Sequence, residues 1–375
     1  MTAHACSRHL PSKPMSLPPL PARPLVSVLL PNHNYARFLP EAIESVLAQS
    51  YSNWEVLVCD DGSTDNSCAI VEQYCSQDRR IRLVRQVNGG QAAALNAAYA
   101  LSTGQVICIL DADDAFLPHK LESVVLHLAS RTAAGLLVHA MTLVDPDGVE
   151  LHRIPMMGRF EEGWIGPRVL RRGGRWRYMP SSALVFRREL AEFGFPIPPE
   201  RFAKGAEGLL FILFPLLTEV THVNRELSIY RIHGSNMGGR LEFDAEAARK
   251  GARLTSDVLT GVNERLAEMG VIERLRLEDN LAIAIDLFVA NLLEGEPMAR
   301  LLCRYLRLAR AILADDVYNF RQKLMLPVLW GGALLLPRSW RRAWLDLTIS
   351  SGVVKRAVRL LAGFRRPSRG LAAGV

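Results

Sequence analysis

The sequence lacks the marks of a membrane-spanning or exported protein and of a cysteine-based metal site. None of its six cysteines forms a C-x-x-C pair, so neither a zinc ribbon nor a thioredoxin-like site is expected. No window reaches the roughly 20 apolar residues of a spanning helix. The proline-rich residues 1–24 lack the apolar core of a signal peptide. These absences predict a cytoplasmic protein with a disordered leader.

The sequence also lacks an even distribution of charge along the chain. The 375-residue chain carries +7, yet Arg300–Val375 alone contains 15 Lys and Arg residues against three Asp residues. The rest of the chain therefore carries net negative charge, which argues against nucleic acid as a partner of that part. With 49% hydrophobic and 22% charged residues, the composition is that of a globular protein.

The basic C-terminal region has an amphipathic pattern. Trp340, Trp344 and Leu347 fall on one helical face, as do apolar residues between Val354 and Leu361, with basic residues between them. Tryptophan and arginine on such a helix are typical of a membrane interface. A helix that packs on a domain and solvates its basic face fits the same pattern. An anionic membrane surface is therefore an expected partner, with the chain peripheral on the cytoplasmic face.

Apolar strands and helices alternate in the first half of the chain. The pattern predicts strands at Leu25–Leu30, Trp54–Cys59, Ile81–Val84 and Gln105–Leu110, and helices at Leu39–Leu47 and Gln91–Leu101. This alternation predicts an α/β fold with a doubly wound, mostly parallel sheet. Helical patterns dominate later, so we expect a leader (1–24), an α/β domain (25–240) and a helical, basic C-terminal extension (241–375).

Polar clusters follow the predicted strands. They are Asn32–Asn34, Asp60–Asp61, Asn88–Gly90 and Asp111–Asp114. Ligands of doubly wound sheets bind outside the carboxyl ends of the strands, so these clusters are expected at one site.

The acidic clusters have two interpretations each. Asp111 and Asp113 offer hard oxygen ligands of the kind that Mg²⁺ or Mn²⁺ shares with substrate phosphates. A solvated turn whose aspartates cap the next helix explains the same residues. Asp61 can accept a hydrogen bond from a base or ribose, or can cap a helix.

Three further positions are equally ambiguous when taken singly. The amide of Gly90, before a predicted helix, can favour a phosphate, or Gly90 can simply complete a tight turn. Glu207 precedes the apolar run Leu209–Leu217, which can raise its pKa toward that of a general base. It also fits an ordinary glutamate in the first turn of a helix. His233 is a metal ligand or a structural hydrogen-bonding group.

The order of these pieces carries more information than any one of them. The segments VSVLLP (26–31), CDDGST (59–64) and LDADD (110–114), with Asn88–Asn96 between them, closely resemble the family 2 glycosyltransferases of the Rossmann-like GT-A fold. The resemblance is dense over residues 25–130, the nucleotide-sugar half, and recurs in the acceptor half, 131–240.

The resemblance implies a role for each matching position. Pro31, His33, Asn34, Gly90 and Asp61 would hold the nucleotide sugar, Asp111 its ribose or the metal, and Asp113 and His233 the metal. Gly173–Arg187 would lie near the acceptor, and Glu207 would be the catalytic base, although Gly208 stands where a second acid is usual. The implied reaction is an inverting, Mn²⁺- or Mg²⁺-dependent transfer from a nucleotide diphosphate sugar to a saccharide or lipid-linked saccharide, in polysaccharide or glycolipid synthesis.

Two other functions remain open. A polyprenyl phosphate acceptor would use the same donor site without a strong need for Glu207. The missing second acid also allows a non-catalytic module that binds sugar nucleotides.

Overall fold

Strands and helices alternate along the first half of the polypeptide. A computed structural model describes residues 9–10, 13–153, 160–233 and 244–346. The strands are β1 (Val26–Asn32), β2 (Trp54–Asp61), β3 (Ile81–Gln86), β4 (Val106–Ile109), β5 (Ala115–Phe116), β6 (Ala134–Val144), β7 (Glu150–Arg153), β8 (Leu184–Arg187) and β9 (Glu219–Arg231). The helices are α1 (Leu39–Leu47), α2 (Ser67–Gln77), α3 (Gln91–Leu101), α4 (Lys120–Ser130), α5 (Gly166–Arg171), α6 (Arg188–Gly194), α7 (Glu207–Leu217), α8 (Ala245–Glu268), α9 (Leu281–Glu294), α10 (Met298–Ala314), α11 (Phe320–Leu335) and α12 (Arg338–Leu345).

The described strands form one mixed sheet. Its order is β3-β2-β1-β4-β8-β6-β9-β5, and β7 pairs with β6. Strands β1 to β4 are parallel to one another, whereas β8 runs antiparallel to both β4 and β6. The predicted α/β fold with a doubly wound, mostly parallel sheet is confirmed, and antiparallel strands appear only in its second half.

The local sequence explains why the parallel part forms. The apolar runs of β1 and β2 are buried along almost their whole length, as strands covered on both faces require. Helix α1 buries Leu39, Ala42, Ile43 and Val46, which recur at helical spacing on one face. The predicted bounds of α1 and α3 match those in the structure. These elements place the carboxyl ends of β1, β2 and β4 at one edge of the sheet.

The chain divides into two compact units. The sheet unit comprises Met1–Gly239, Arg253–Ile283 and Asp316–Asn319, and the helical unit comprises Arg240–Ala252, Ala284–Asp315 and Phe320–Val375. The sequence placed a single boundary near residue 240. The structure differs because most of α8 belongs to the sheet unit.

The proline-rich leader is partly ordered. The Met15 amide donates to the Leu217 carbonyl at 2.8 Å, and the Pro18 carbonyl accepts from the buried Arg187. The Tyr51 hydroxyl donates to the Pro24 carbonyl at 2.6 Å. The prediction of disorder is therefore wrong for residues 13–24, because partners distant in sequence satisfy this backbone. Residues 1–8 and 11–12 lie outside the described part.

The helical unit contains α10, α11 and α12. Helix α10 buries Leu301, Leu308 and Ile312, and α11 buries Trp330 and Leu334. Across the described ranges, no helix has both the length and the apolar character that crossing a bilayer demands.

Lys120 joins three elements of the sheet unit at a buried point. Its ammonium donates to the Ser182 carbonyl at 2.6 Å and to the Ser228 hydroxyl at 3.1 Å. It also lies 3.4 Å from the centre of the Phe116 ring. Burial lowers the pKa of Lys120 from 10.5 to about 7. A fully buried cation here is therefore held by polar contacts that only partly replace water.

Replacing Lys120 by methionine should change how stability depends on pH. Between about pH 7 and pH 10.5 the unfolded chain holds a proton on Lys120 that the folded protein has lost. Stability of the natural protein should therefore rise with pH relative to the variant, by up to about 1.4 kcal/mol per pH unit. Urea unfolding of both proteins at several pH values measures the difference. If the stabilities of the two proteins changed with pH in parallel, the lowered pKa of Lys120 would be contradicted.

Candidate functional site

Polar loops follow β1, β2, β3 and β4 at the carboxyl edge of the sheet. The register pairs Asn32 with Asp60, and Asp61 with Gln86, so neighbouring strands end at the same level. The predicted polar clusters therefore share this edge, which is where doubly wound sheets bind ligands.

Asn34 fixes the shape of the loop after β1. Its φ of 60° lies in the left-handed region that asparagine tolerates. Its side-chain oxygen accepts from the amides of Thr64 at 2.7 Å and Asp65 at 3.3 Å. Asn34 thus crosslinks the loops after β1 and β2, and its oxygen is engaged within the protein.

His33 presents an exposed ring beside this crosslink. Its Nδ1 atom lies 2.8 Å from the Asp61 carbonyl oxygen and 3.1 Å from the Asn88 side-chain nitrogen. Pro31 is half-buried at the end of β1. The ring of His33 is therefore held in place by two loops while it remains accessible.

Asp61 organises the turn after β3. One carboxylate oxygen accepts from the Gly89 amide at 2.8 Å and the Gln86 side chain at 2.6 Å, and the other accepts from the Gly90 amide at 2.8 Å. The Gly90 amide is thus engaged within the protein, which favours the tight-turn interpretation, and a contact of Gly90 with a nucleotide sugar stays a prediction. Asp61 itself is almost fully buried, so any ligand contact must come from its unused lone pairs.

The first amides of α3 are also occupied. Gln91 donates from its backbone to the Ala203 carbonyl at 2.9 Å, and Ala92 donates to the Phe202 carbonyl at 3.2 Å. Gly90 has a φ of 85°, and a Cβ there would lie 2.6 Å from Ala203 Cα. Gly90 is thus needed because two backbone segments approach closely, a reason that local sequence does not reveal.

Asp113 and His233 come together although 120 residues separate them. His233 Nε2 lies 2.8 Å from Asp113 Oδ2, and their side chains are 10% and 13% exposed, respectively. The imidazole stacks on Phe38 with centroids 5.3 Å apart and meets Tyr35 edge-on at 5.7 Å. Strand β9 and the loop after β4 therefore build this pair.

Asp111 is anchored by the turn that precedes β8. The Ser181 hydroxyl donates to its carboxylate, and the Ser182 hydroxyl accepts from its backbone amide at 3.1 Å. Lys120 in turn holds the Ser182 carbonyl. The antiparallel strand β8 thus delivers two serines to the end of a parallel strand.

Arg231 supports the same loop from β9. It is 2% exposed, and its side chain donates to the Asp113 carbonyl at 2.9 Å and to the Glu41 carboxylate. Its backbone amide donates to Asp114 at 3.0 Å. One buried guanidinium and its own peptide group therefore fix the acidic loop against β9.

Glu207 begins α7, and Gln91 determines its surroundings. The Gln91 side-chain oxygen accepts from the amides of Gly205 at 2.8 Å and Ala206 at 3.2 Å, and its amide group hydrogen-bonds Glu207. The second carboxylate oxygen of Glu207 is buried without a hydrogen-bond partner. Burial raises the pKa of Glu207, against these hydrogen bonds. A carboxylate with a raised pKa suits a proton acceptor.

The acidic side chains lie within electrostatic reach of one another. Burial, and then the charges of Glu207 and Asp113, raise the pKa of Asp111. Burial and the charges of Asp113 and Asp111 raise the pKa of Tyr35 to about 12. The structure thus brings together Asp111, Asp113 and Glu207 from β4 and α7, whereas Asp61 follows β2, on the far side of β1.

These residues fit a metal that is shared with a substrate. Within the residues that the structure describes, no group of three or more His, Cys, Asp and Glu side chains is arranged to hold a metal ion. Asp113 and His233 supply two ligand atoms 2.8 Å apart, and Asp111 adds negative charge nearby. Mg²⁺ in particular is commonly bound by one or two carboxylates together with substrate phosphates.

Sequence reasoning missed the residues that support the site. Arg231 and Gln91 contact the acidic loop and the segment before Glu207 across large sequence separations. Tyr230 lies near the same carboxyl groups, since its pKa is raised by burial and then by Asp114, Asp111 and Asp113. Tyr230 and Arg231 lie two and three residues before His233, but no local sequence pattern indicates where their side chains point.

Replacing Gly90 by alanine should destabilise the protein more than the same change at Gly163. Both glycines have positive φ, but a Cβ at Gly163 meets nothing within 4 Å. Gly163→Ala should cost about 1 kcal/mol for backbone strain, and Gly90→Ala roughly 2 kcal/mol more for the clash with Ala203. Chemical denaturation measures both values. Equal losses of stability in the two variants would show that the close approach of Gly90 to Ala203 does not contribute to the cost.

The sequence of this chain is similar to those of known proteins. Residues 27–195 match the family described as Glycosyl transferase family 2. An uncharacterized glycosyltransferase of Nostoc sp. is 34% identical over 68% of this chain and 80% of its own length. The glycosyltransferase GlyG of Streptococcus pneumoniae is 28% identical over 67% of this chain and 87% of its own length.

A solved structure agrees at the level of the fold. S. aureus TarS 1–349 in complex with UDP superposes with a TM-score of 0.51 over 92% of this chain and 94% of that chain, at 15% identity. The expected GT-A fold is thereby confirmed. The family match and the relative from Nostoc, of which this chain covers 80%, establish that the chain belongs to glycosyltransferase family 2.

Proposed function

We propose that this glycosyltransferase moves a sugar from a nucleotide diphosphate donor to an acceptor hydroxyl, with inversion at the anomeric carbon and with Mn²⁺ or Mg²⁺. The observation that supports this most directly is the contact between Asp113 and His233, together with the charges of Asp113 and Glu207 that act on Asp111. The group combines a cation-binding pair with a carboxylate of raised pKa, which are the two chemical requirements of the reaction.

The donor would occupy the carboxyl edge of β1, β2 and β4. The exposed ring of His33, with Pro31 and Asn34 in its loop, would receive the base, and Asp61 would assist through its remaining lone pairs. Asp113 and His233 would hold the metal, with Asp111 beside them. When bound, this ion neutralises charge on the diphosphate leaving group.

Glu207 would take the proton of the acceptor. The acceptor oxygen forms a bond to the anomeric carbon while the bond from that carbon to the diphosphate oxygen breaks. The proton passes to the Glu207 carboxylate, and the bond electrons leave with the nucleoside diphosphate. The raised pKa of Glu207 suits this transfer because it increases the affinity of the carboxylate for the proton.

Glu207→Gln and Asp113→Asn should have separable effects. A thermal-shift screen of nucleotide sugars with and without Mn²⁺ first identifies the donor. Glu207→Gln should keep the donor-dependent shift and lower turnover roughly 100-fold or more, since the amide cannot accept the proton. Asp113→Asn should lose the Mn²⁺-dependent part of the shift as well as turnover. Glu192→Gln, an exposed change in α6, is the control.

The outcomes discriminate between the remaining functions. Undiminished transfer by Glu207→Gln to a polyprenyl phosphate would favour that acceptor, whose phosphate oxygen is already anionic. Donor binding by the natural protein without transfer or donor hydrolysis would favour a binding module. Unchanged Mn²⁺-dependent donor binding by Asp113→Asn would remove the metal assignment. A role in polysaccharide or glycolipid synthesis stays a prediction.

The helical unit supports the proposal of an anionic membrane surface as a partner. Large apolar side chains at Leu302, Leu306, Leu324 and Val328 are 47–71% exposed on α10 and α11. A cavity of about 590 Å³ between these helices is lined almost wholly by apolar groups, including Tyr305. Single exposed apolar residues are ordinary, but a continuous patch marks an interaction surface.

Charge favours anionic lipid over a protein partner. Helices α10 and α11 contain six Lys and Arg residues and no Asp or Glu. Basic residues flanking an apolar face fit the interface of an anionic bilayer. Trp340 is 66% exposed and fits this surface, whereas the Trp344 indole donates to the Leu329 carbonyl at 3.1 Å. Leu347 and residues 354–361 lie outside the described part.

The variant Leu302→Glu/Val328→Glu should bind anionic vesicles poorly. Co-sedimentation with vesicles of phosphatidylglycerol and phosphatidylcholine should show a partition coefficient about tenfold or more below that of the natural protein. Leu126→Glu, which changes a 64% exposed leucine of α4, should bind normally. Equal binding by all three proteins would exclude this surface. If the natural protein does not bind vesicles but self-associates through these residues, the apolar patch is instead a contact surface for a second copy of the chain.

A further inference from the structure

A cationic cavity lies in the helical unit beside the first turn of α12. Its volume is about 720 Å³. Helices α8, α9 and α12 and the residue before α8 supply its lining, which consists of Asp244, Ala245, Leu293, Arg338, Ser339 and Arg342. Two guanidiniums and a hydroxyl are the donor groups that proteins use to bind a phosphate.

The protein engages the two lining guanidiniums only weakly. Arg338 Nε lies 3.4 Å from the Leu293 carbonyl oxygen, which is beyond the usual length of a hydrogen bond. Arg342 Nε lies 3.9 Å from the Asp346 carboxylate, and ion pairs of this length between exposed side chains contribute little. Both arginines can therefore still donate to an anion in the cavity.

A third arginine adds positive charge behind the cavity. Arg341 is 6% exposed, and its guanidinium donates to the carbonyls of Leu292 at 3.0 Å and Leu336 at 3.2 Å, which do not neutralise it. The lining carboxylate, Asp244, accepts from the Ala247 amide at 2.6 Å. Three guanidiniums of α12 thus outnumber the two carboxylates at this end of the helical unit, and the potential there favours an anion.

The apolar cavity between α10 and α11 adjoins the cationic cavity. A Cβ at Gly295 would lie 2.7 Å from Arg338 Cζ, so this guanidinium packs against the turn that joins α9 to α10. Leu293, before the turn, lines the cationic cavity, and Met298, after it, lines the apolar one. Leu335 of the apolar lining precedes Arg338 by only three residues, a span of about 11 Å at most. The two cavities therefore meet at this turn.

A cationic cavity that joins an apolar one fits an anionic amphiphile. Guanidinium groups bind phosphate oxygens through paired, charge-assisted hydrogen bonds. Each methylene that an acyl chain buries adds about 0.8 kcal/mol, and Val328 and Leu335, at 71% and 89% exposure, leave apolar area for the chain to cover. A free phosphate would use the first cavity alone, whereas a lipid would use both.

We propose that the helical unit holds one molecule of an anionic phospholipid. Its phosphate would lie between Arg338 and Arg342, and its acyl chain would occupy the cavity lined by Leu302 and Val328. This site goes beyond the transferase function and does not require it. It specifies the lipid contact proposed above for the helical unit, because it binds a lipid monomer as well as a lipid in a bilayer.

Monomeric lipid separates such a site from attraction to a charged surface. Isothermal titration of the full-length protein uses dihexanoyl phosphatidylglycerol below its critical micelle concentration, with sn-glycerol 3-phosphate as the probe that lacks acyl chains. The lipid should bind saturably at one molecule per chain, at least about tenfold more tightly than glycerol 3-phosphate. Equal affinity for both probes, or absence of saturable lipid binding, would overturn the proposal.

Arg338→Gln/Arg342→Gln should weaken binding of the monomeric lipid about tenfold or more, because both phosphate contacts are lost. The control is Arg300→Gln/Arg307→Gln, which removes the same charge from exposed positions of α10 on the face opposite Leu302. The control should bind the lipid normally. An equal loss of affinity in the two variants would show attraction to net charge and overturn the site.

Leu302→Ala/Val328→Ala tests the contact with the acyl chain without adding charge. This variant should bind the monomeric lipid more weakly and glycerol 3-phosphate as the natural protein does. Unchanged affinity for the lipid would refute the role of the apolar cavity.

Vesicle binding distinguishes the failure of this site from the failure of the membrane proposal. If the natural protein binds phosphatidylglycerol vesicles but not the monomeric lipid, the site is refuted and the membrane surface stands. The donor-dependent thermal shift should be the same in Arg338→Gln/Arg342→Gln as in the natural protein. Loss of that shift together with lipid binding would indicate a general loss of structure and contradict a specific role of these arginines.

Discussion

Mutual repulsion among carboxyl groups is the constraint on which the site depends. Burial, and then the charges of Glu207 and Asp113, raise the pKa of Asp111, which makes its ionised form unfavourable unless the rest of the fold compensates. Arg231, buried under the acidic loop, and the serines before β8 supply that compensation. Much of the second half of the sheet can be understood as the support of this acidic loop.

The antiparallel strand β8 is central to that support. A wholly parallel sheet would put another crossover connection beside β4, whereas β8 enters from the opposite direction and brings Ser181 and Ser182 to the end of β4. Strand β9, farther along the sheet, then contributes Arg231, and the segment that follows it contributes His233. The acidic loop is consequently held from several directions by residues far from it in sequence.

The sequence predicted the regular part of this arrangement better than its contacts. The bounds of α1 and α3 follow from apolar periodicity, and the position of the polar loops follows from the alternation of strands and helices. The sequence could not decide between the two interpretations of Gly90 because the partner of its amide, Asp61, lies on another strand. The order in the leader likewise depends on tertiary neighbours, which periodicity does not encode.

The N-terminus of α3 connects the turn at Gly90 with the segment just before Glu207. Asp61 grips the turn at Gly90, the next backbone amide is bonded to Ala203, and the Gln91 side chain holds the peptides just before Glu207. If the donor binds beside this turn as proposed, its contacts would reach Glu207 through a few hydrogen bonds. On that proposal the linkage favours an ordered kinetic scheme, in which the donor binds before the acceptor.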